Sequence, residues 1–314
     1  MVDKNNKRLP NTILLTVPKT GSTSLYNAFK QHKDICVPLS KETWYFTNNS
    51  SKDIDWYADQ FNHRKNEKII CDFVSTHIYS PGFAKKLKNT LPSAKIILLL
   101  RDPVSRCVSH YLHEVRLGNE TRSLEQALSY ETQVLKDKNV KYSNLAYRDI
   151  GSIYKKRSEE LLEVFTNKNV MFVLLEELVN EQKLTLEKIW NFLEISYQSI
   201  DLPNDNVARL PKAKILSNFL SLPKNSYFYT INFLNQKIPF PQYFKSKSRT
   251  LRSKFVIVLD KLEDISYKKV KNFSVSEETI NYLQKFYNKK LLGYEKIIEK
   301  KLSVYWGWFD ESKQ

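Results

Sequence analysis

Glycine is scarce in this chain, at 6 of 314 residues, and proline numbers only 11. So little of either excludes long flexible linkers and low-complexity tracts. Cysteine is nearly absent too. Cys36, Cys71 and Cys107 form no CxxC pair and cannot make a disulfide framework, and their apolar contexts read as buried free thiols. No apolar run approaches the ~18 residues of a membrane span. Ile96 to Leu100, for one, is strand length. No charged-then-apolar leader opens the chain, so the expectation is a soluble, cytoplasmic protein without a transmembrane segment. Neither GKS nor GKT occurs anywhere, which excludes a Walker A loop.

Positive charge and aromatic surface are what the chain has in quantity. Lys and Arg total 50 against 34 Asp and Glu, a formal net charge of +16. That balance favours anionic partners such as nucleotides, sulfated glycans, nucleic acid or acidic lipid, although a solvated Lys-rich surface is the plain alternative. Hydrophobic residues at 41% and aromatics at 13% mark a globular chain with a substantial core.

The stretch Asn11 to Phe29 organises the rest. Thr12 to Val17 is apolar and β-branched, as a strand requires, and Leu25, Tyr26, Ala28 and Phe29 follow at helical spacing. Between them lies Pro18-Lys19-Thr20-Gly21-Ser22-Thr23-Ser24. A strand, a tight turn and a helix N-terminus in that order make an anion site, because the first helical amides lack intrahelical partners and the dipole is positive there. Gly21 lets the backbone approach a ligand, three hydroxyls add donors, and Lys19 adds charge. A Gly-Ser-Thr turn capping an ordinary βα unit is the bland reading of the same residues.

Ile35 to Val37 is a brief apolar run, and further strands are expected at Lys68 to Val74, Ala94 to Leu100 and Val170 to Leu175, separated by helical patterns. The fold class is therefore α/β, a central, mainly parallel sheet flanked by helices. After Asp201 the pattern turns helical and Lys-rich. Residues 1–200 are expected to form the core and 201–314 a helical extension packed on it, within a single domain. Tyr147 to Thr166 reads as one long helix, and Ser276 opens another. Trp306, Trp308 and Phe309 are expected to pack the tail onto the core. Lys41-Glu42 precedes Trp44, Tyr45 and Phe46, and the aromatics are expected to anchor that loop and fix Glu42. Arg101-Asp102-Pro103 stands at the carboxyl end of the clearest strand, the edge at which α/β sheets bind ligands.

Three segments in order resemble the P-loop sulfotransferases that use 3′-phosphoadenosine 5′-phosphosulfate (PAPS). Pro18 to Ser24 resembles the family's 5′-phosphosulfate loop. Leu100 to Tyr111 is similar to its 3′-phosphate motif, an Arg at a strand end with a Ser eight residues on. Lys41 to Phe46 with Asp55-Trp56-Tyr57 is similar to the heparan-sulfate-type and related bacterial carbohydrate sulfotransferases. The similarity runs from about Leu9 to Ile195. It implies PAPS as donor, adenosine 3′,5′-bisphosphate (PAP) as product, no metal, and a carbohydrate hydroxyl, or second an amine, as acceptor. It implies donor contacts from Lys19, Thr20, Gly21, Ser22, Thr23, Ser24, Arg101 and Ser109, with Ser105 and Arg106 as substitutes. Lys19 would stabilise the bridging oxygen and Glu42 would be the general base, ahead of His77, His110 and His113. The sequence departs from the family at Phe73, which stands where glycosaminoglycan members carry a Lys, and a Lys-Gly-Arg loop is missing. Arg209 and Lys212 are candidates to cover the nucleotide instead.

Two other classes compete. An atypical P-loop kinase or NTPase is opposed by the position of Lys19 before the only nearby Gly. A nucleic-acid or membrane-surface module would use the aromatic, Lys-rich residues 224–254, for which a solvated helical face is the stronger reading. The sequence assigns no oligomeric state.

Overall fold

The computed structural model describes residues 8–75, 82–117, 119–134, 146–200, 209–211, 267–269 and 275–311. Contacts divide the chain into two compact units. The first comprises Met1–Val108, Asn139–Asn206 and Ser276–Gln314, and the second Ser109–Lys138 and Val207–Val275. The expected boundary near residue 200 falls beside residues 201–208, outside the described residues.

The first unit is built on five strands: β1 (Thr12–Thr16), β2 (Ile35–Cys36), β3 (Ile69–Ser75), β4 (Lys95–Leu100) and β5 (Val170–Leu174). They lie in the order β2-β3-β1-β4-β5. Every ladder is parallel. β1 and β3 are buried at every position and β4 at all but Lys95, as strands covered on both faces must be. Their unbroken runs of Ile, Leu, Val and Phe are the sequence form of that burial.

Helix α1 (Ser22–Gln31) follows β1 and buries Leu25, Tyr26, Ala28 and Phe29. Tyr26 and Phe29 meet Phe73 of β3 edge-on at centroid distances of 5.3 and 5.7 Å. Phe29 also packs 5.4 Å from Trp190 of α9 (Gln182–Leu193). The chain leaves β1 through α1 for β2 on one side of the sheet. It leaves β4 through α4 (Pro103–Leu117) towards β5 on the other. The carboxyl ends of β1 and β4 are therefore the point at which the winding reverses, where open α/β sheets form their ligand crevice.

The long helix expected over Tyr147–Thr166 is two: α6 (Asp149–Ser152) and α7 (Tyr154–Val164), separated at Ile153. Gly151 lies against Pro103 and Tyr287 so closely that a Cβ would come within 2.7 and 2.8 Å of them.

Near the carboxyl end, Ser276 caps helix Glu277–Lys290 by accepting from the Thr279 amide at 3.2 Å. Leu283, Tyr287 and Leu291 are fully buried, as are Trp306 and Phe309 to within 2%. The tail packs as expected. In the second unit, β6 (Arg209–Pro211) pairs antiparallel with β7 (Tyr267–Lys269). No helix among the described residues is long and apolar enough to cross a membrane.

Candidate active site

The turn after β1 is held by its own backbone. Lys19 adopts φ 74° and Gly21 φ 87°, two left-handed residues in a turn of four. Thr20 is fully buried, and its hydroxyl donates to the Val17 carbonyl at 2.9 Å. Gly21 is the N-cap of α1 and provides no side-chain cap, and the first turn carries no acidic residue. The positive end of the helix thus faces outward with the Ser22 and Thr23 hydroxyls beside it. Gly21 is required twice over. Besides its φ, a Cβ there would lie 2.6 Å from Leu175 Cδ1 at the end of β5.

Arg101 follows β4, the neighbour of β1. Its Nη1 donates to the Lys19 carbonyl at 2.8 Å, so the two expected phosphate-binding segments meet across adjacent strand ends. Burial lowers the Arg101 pKa, while Glu176 and Asp102 oppose that shift. The guanidinium keeps its charge at any physiological pH. Asp102 caps α4 by accepting from the Val104 amide at 3.1 Å, the Ser105 amide and the Ser105 hydroxyl. Ser105 is thereby occupied as part of the cap. Arg106, fully buried, donates to the carbonyls of Pro18 and Tyr147 and pins the turn from beneath. Both residues named as substitutes for phosphate binding are structural here.

Glu42 is brought to the same edge. Its Oε2 accepts from the Ser75 hydroxyl at 2.7 Å, and Ser75 is paired in register with Thr16 at the end of β1. The loop carrying Glu42 is anchored on both sides. Tyr45 stacks on Tyr57 of α2 (Ile54–Asp59) at 4.1 Å with planes 2° apart, and Phe46 meets Tyr57 and Phe83 edge-on. Beneath them the fully buried Asp72 accepts from the Thr43 hydroxyl at 2.6 Å, the Thr43 amide at 3.3 Å and the Tyr57 hydroxyl at 2.9 Å. Burial pushes the Asp72 carboxyl up to about 7, although the hydrogen bonds from Thr43 and Tyr57 pull it down. Asp72 and Ser75 escaped the sequence reading. A lone carboxylate in the apolar run Ile69–Val74 was the available signal.

Lys41 also escaped it as a site residue. With φ 69°, it turns its ammonium onto the hydroxyls of Ser22 and Thr23, at 3.1 Å from each. Phe73, in contrast, is spent on the core beneath α1.

Ser109 is half-buried on α4 and belongs to the second unit. His110 is buried with Nε2 3.8 Å from Glu114, a packing role, and His113 is half-buried one turn on. Arg209 lies in β6, in register with Lys269, whereas Lys212 and His77 lie outside the described residues. No group of three His, Cys, Asp or Glu side chains among the described residues could hold a metal ion.

The winding of the sheet reverses between a turn with uncapped helix amides and an Arg-bearing strand end, the place where open α/β sheets bind ligands, and Ser75 holds Glu42 at the same edge. The sulfotransferase domain model matches residues 9–291, and the chain belongs to that family. The match reaches well past Ile195, the end of the stretch that carries the three motifs. The chain is 34% identical over 135 residues to the membrane-associated sulfotransferase kil1 of Dictyostelium discoideum, covering 42% of this chain and 29% of that one. It is 23% identical over 193 residues to human heparan sulfate glucosamine 3-O-sulfotransferase 3A1, covering 62% and 46%. The chain thus spans less than half the length of these curated relatives. A sulfotransferase structure from Alicyclobacillus acidocaldarius superposes with a TM-score of 0.65 at 20% identity, over 95% of this chain and 99% of that one. That likeness is one of fold.

Proposed function

We propose that this protein transfers a sulfuryl group from PAPS to a hydroxyl, or second an amine, of a carbohydrate. The observation that carries the reading is the 2.8 Å bond from Arg101 to the Lys19 carbonyl. It joins two cationic segments at one crevice, as a donor with phosphates at two positions requires. The turn fits such a group, since Gly21 leaves its backbone open and the first turn of α1 has no acid to repel an anion. When bound, PAPS supplies an activated sulfuryl group and a phosphate leaving group.

The chain's own residues have three tasks. The α1 amides, Ser22, Thr23 and Ser24 hold the 5′ end, Thr20 braces the turn from within, and Arg101 holds the 3′-phosphate. Lys19 neutralises charge that develops on the leaving oxygen as the S–O bond breaks. Glu42, held by Ser75, accepts the acceptor's proton as the new S–O bond forms. The carbohydrate acceptor is supported by the names of the heparan sulfate relatives and by Trp44, 39% exposed two residues from Glu42 and able to offer a ring face to a sugar. The kinase reading is not favoured, because Lys19 precedes Gly21.

Calorimetry with PAP tests the donor site, and radiolabelled PAPS against a panel of glycans tests transfer. Binding by the native chain and by Glu42→Ala, with transfer lost only in the variant, is the expected result. Transfer at the native rate by Glu42→Ala would remove the base assignment, and absence of PAP binding would remove the donor assignment.

A further inference from the structure

The turn that should receive a strongly anionic donor has little charge of its own from the α1 side. Lys19 is the sole cation between Thr12 and Phe29. The strand position at which glycosaminoglycan members carry a Lys is Phe73, buried to 1% against Tyr26 and Phe29. A second ammonium nonetheless reaches the turn from a different loop. Lys41 Nζ sits 3.1 Å from both Ser22 Oγ and Thr23 Oγ1, the two hydroxyls that open α1.

We propose that Lys41 is a direct ligand of the donor's 5′ anionic group and replaces the charge that Phe73 does not carry. This inference rests on the donor reading above and deepens it.

Three features support the placement. First, the hydroxyls that hold the ammonium are those assigned to the anion, so an anion seated on α1 lies within reach of Nζ. Second, the loop is built to aim this side chain. Lys41 occupies a left-handed conformation disfavoured for a residue with a Cβ, in a turn closed by its own amide on the Pro38 carbonyl at 3.1 Å. That carbonyl also accepts from the Tyr26 hydroxyl at 3.0 Å, which ties the turn to α1 itself. Third, burial lowers the Lys41 pKa while Glu42 holds it up. A partly desolvated ammonium gains more from an arriving anion than a solvated one does. Because Glu42 is the next residue, a Lys41 fixed on the donor also fixes the base beside it.

The test compares two nucleotides by calorimetry on the full chain, PAP and adenosine 3′-monophosphate, which lacks the 5′ group. Lys41→Met should lower affinity for PAP by about tenfold or more, the scale of one charge-assisted hydrogen bond. It should leave adenosine 3′-monophosphate unchanged, which also shows the variant to be folded. Lys41→Arg should recover most of the loss. Equal PAP binding by Lys41→Met and the native chain overturns the inference and leaves the donor site standing. So does a loss shared equally by both nucleotides. Failure of the native chain to bind PAP overturns the donor reading and this inference with it.

Discussion

Asp72 is the residue with the largest consequence per atom. It is a carboxyl with no exposure, held by two hydroxyls and an amide, and its folded pKa is raised to about 7, chiefly by burial. The unfolded chain releases that proton near the ordinary Asp value of ~3.9. Between those values the native state binds more protons than the unfolded one, so stability falls as pH rises through that window. The lost stability is on the order of a few kcal/mol by pH 7.5. Asp72→Asn should flatten this dependence, with melting temperatures at pH 5 and pH 7.5 lying closer together than in the native chain. A native-like slope in the variant would assign the pH dependence elsewhere. At the same scale, Lys19→Ala and Arg101→Ala should each weaken PAP binding, whereas Glu42→Ala should not. Lys19 and Glu42 could be picked from the sequence because they stand in short motifs. Lys41 and Ser75 act through contacts between segments 19 and 33 residues apart, which no local pattern displays.

Among the elements, the β1–α1 unit tests the role of one glycine most sharply. Gly21 and Gly82 both have left-handed φ, 87° and 75°, yet only Gly21 has a neighbour in the way. Gly82→Ala should cost about 1–2 kcal/mol from the backbone alone. Gly21→Ala should cost up to about 1 kcal/mol more, because the tip of the Leu175 side chain must swing aside. Urea denaturation midpoints of the two variants separate these contributions, and equal midpoints would contradict the close approach. The strands were legible because both faces are buried, so their apolar runs are uninterrupted. Helix α1 was legible from its four buried positions. The break at Ile153 was not legible, since the apolar pattern runs straight through it. The parallel order of the strands also follows from tertiary packing, and only the alternation of strand and helix signalled it.

For the whole molecule, a formal charge of +16 predicts an association that depends on salt. PAP binding should weaken several-fold between about 0.05 and 0.3 M salt as the screening length shrinks. The fraction of binding that persists reports the contacts of the crevice itself. Affinity independent of salt would mean that the excess charge serves solubility alone. Family membership spans residues 9–291, so the Lys-rich segment after residue 200 belongs to the sulfotransferase domain even though its own pattern gave little sign of it.

Trp308 Nε1 donates to Asp102 Oδ1 at 3.1 Å, the same carboxylate that caps α4 beside Arg101. The contact joins residues 206 positions apart in the chain, so Asp102 and Arg101 are made well before the side chain that completes their surroundings. Until the segment carrying Trp308 has been made and docked, Arg101 stands beside a cap that lacks one of its donors.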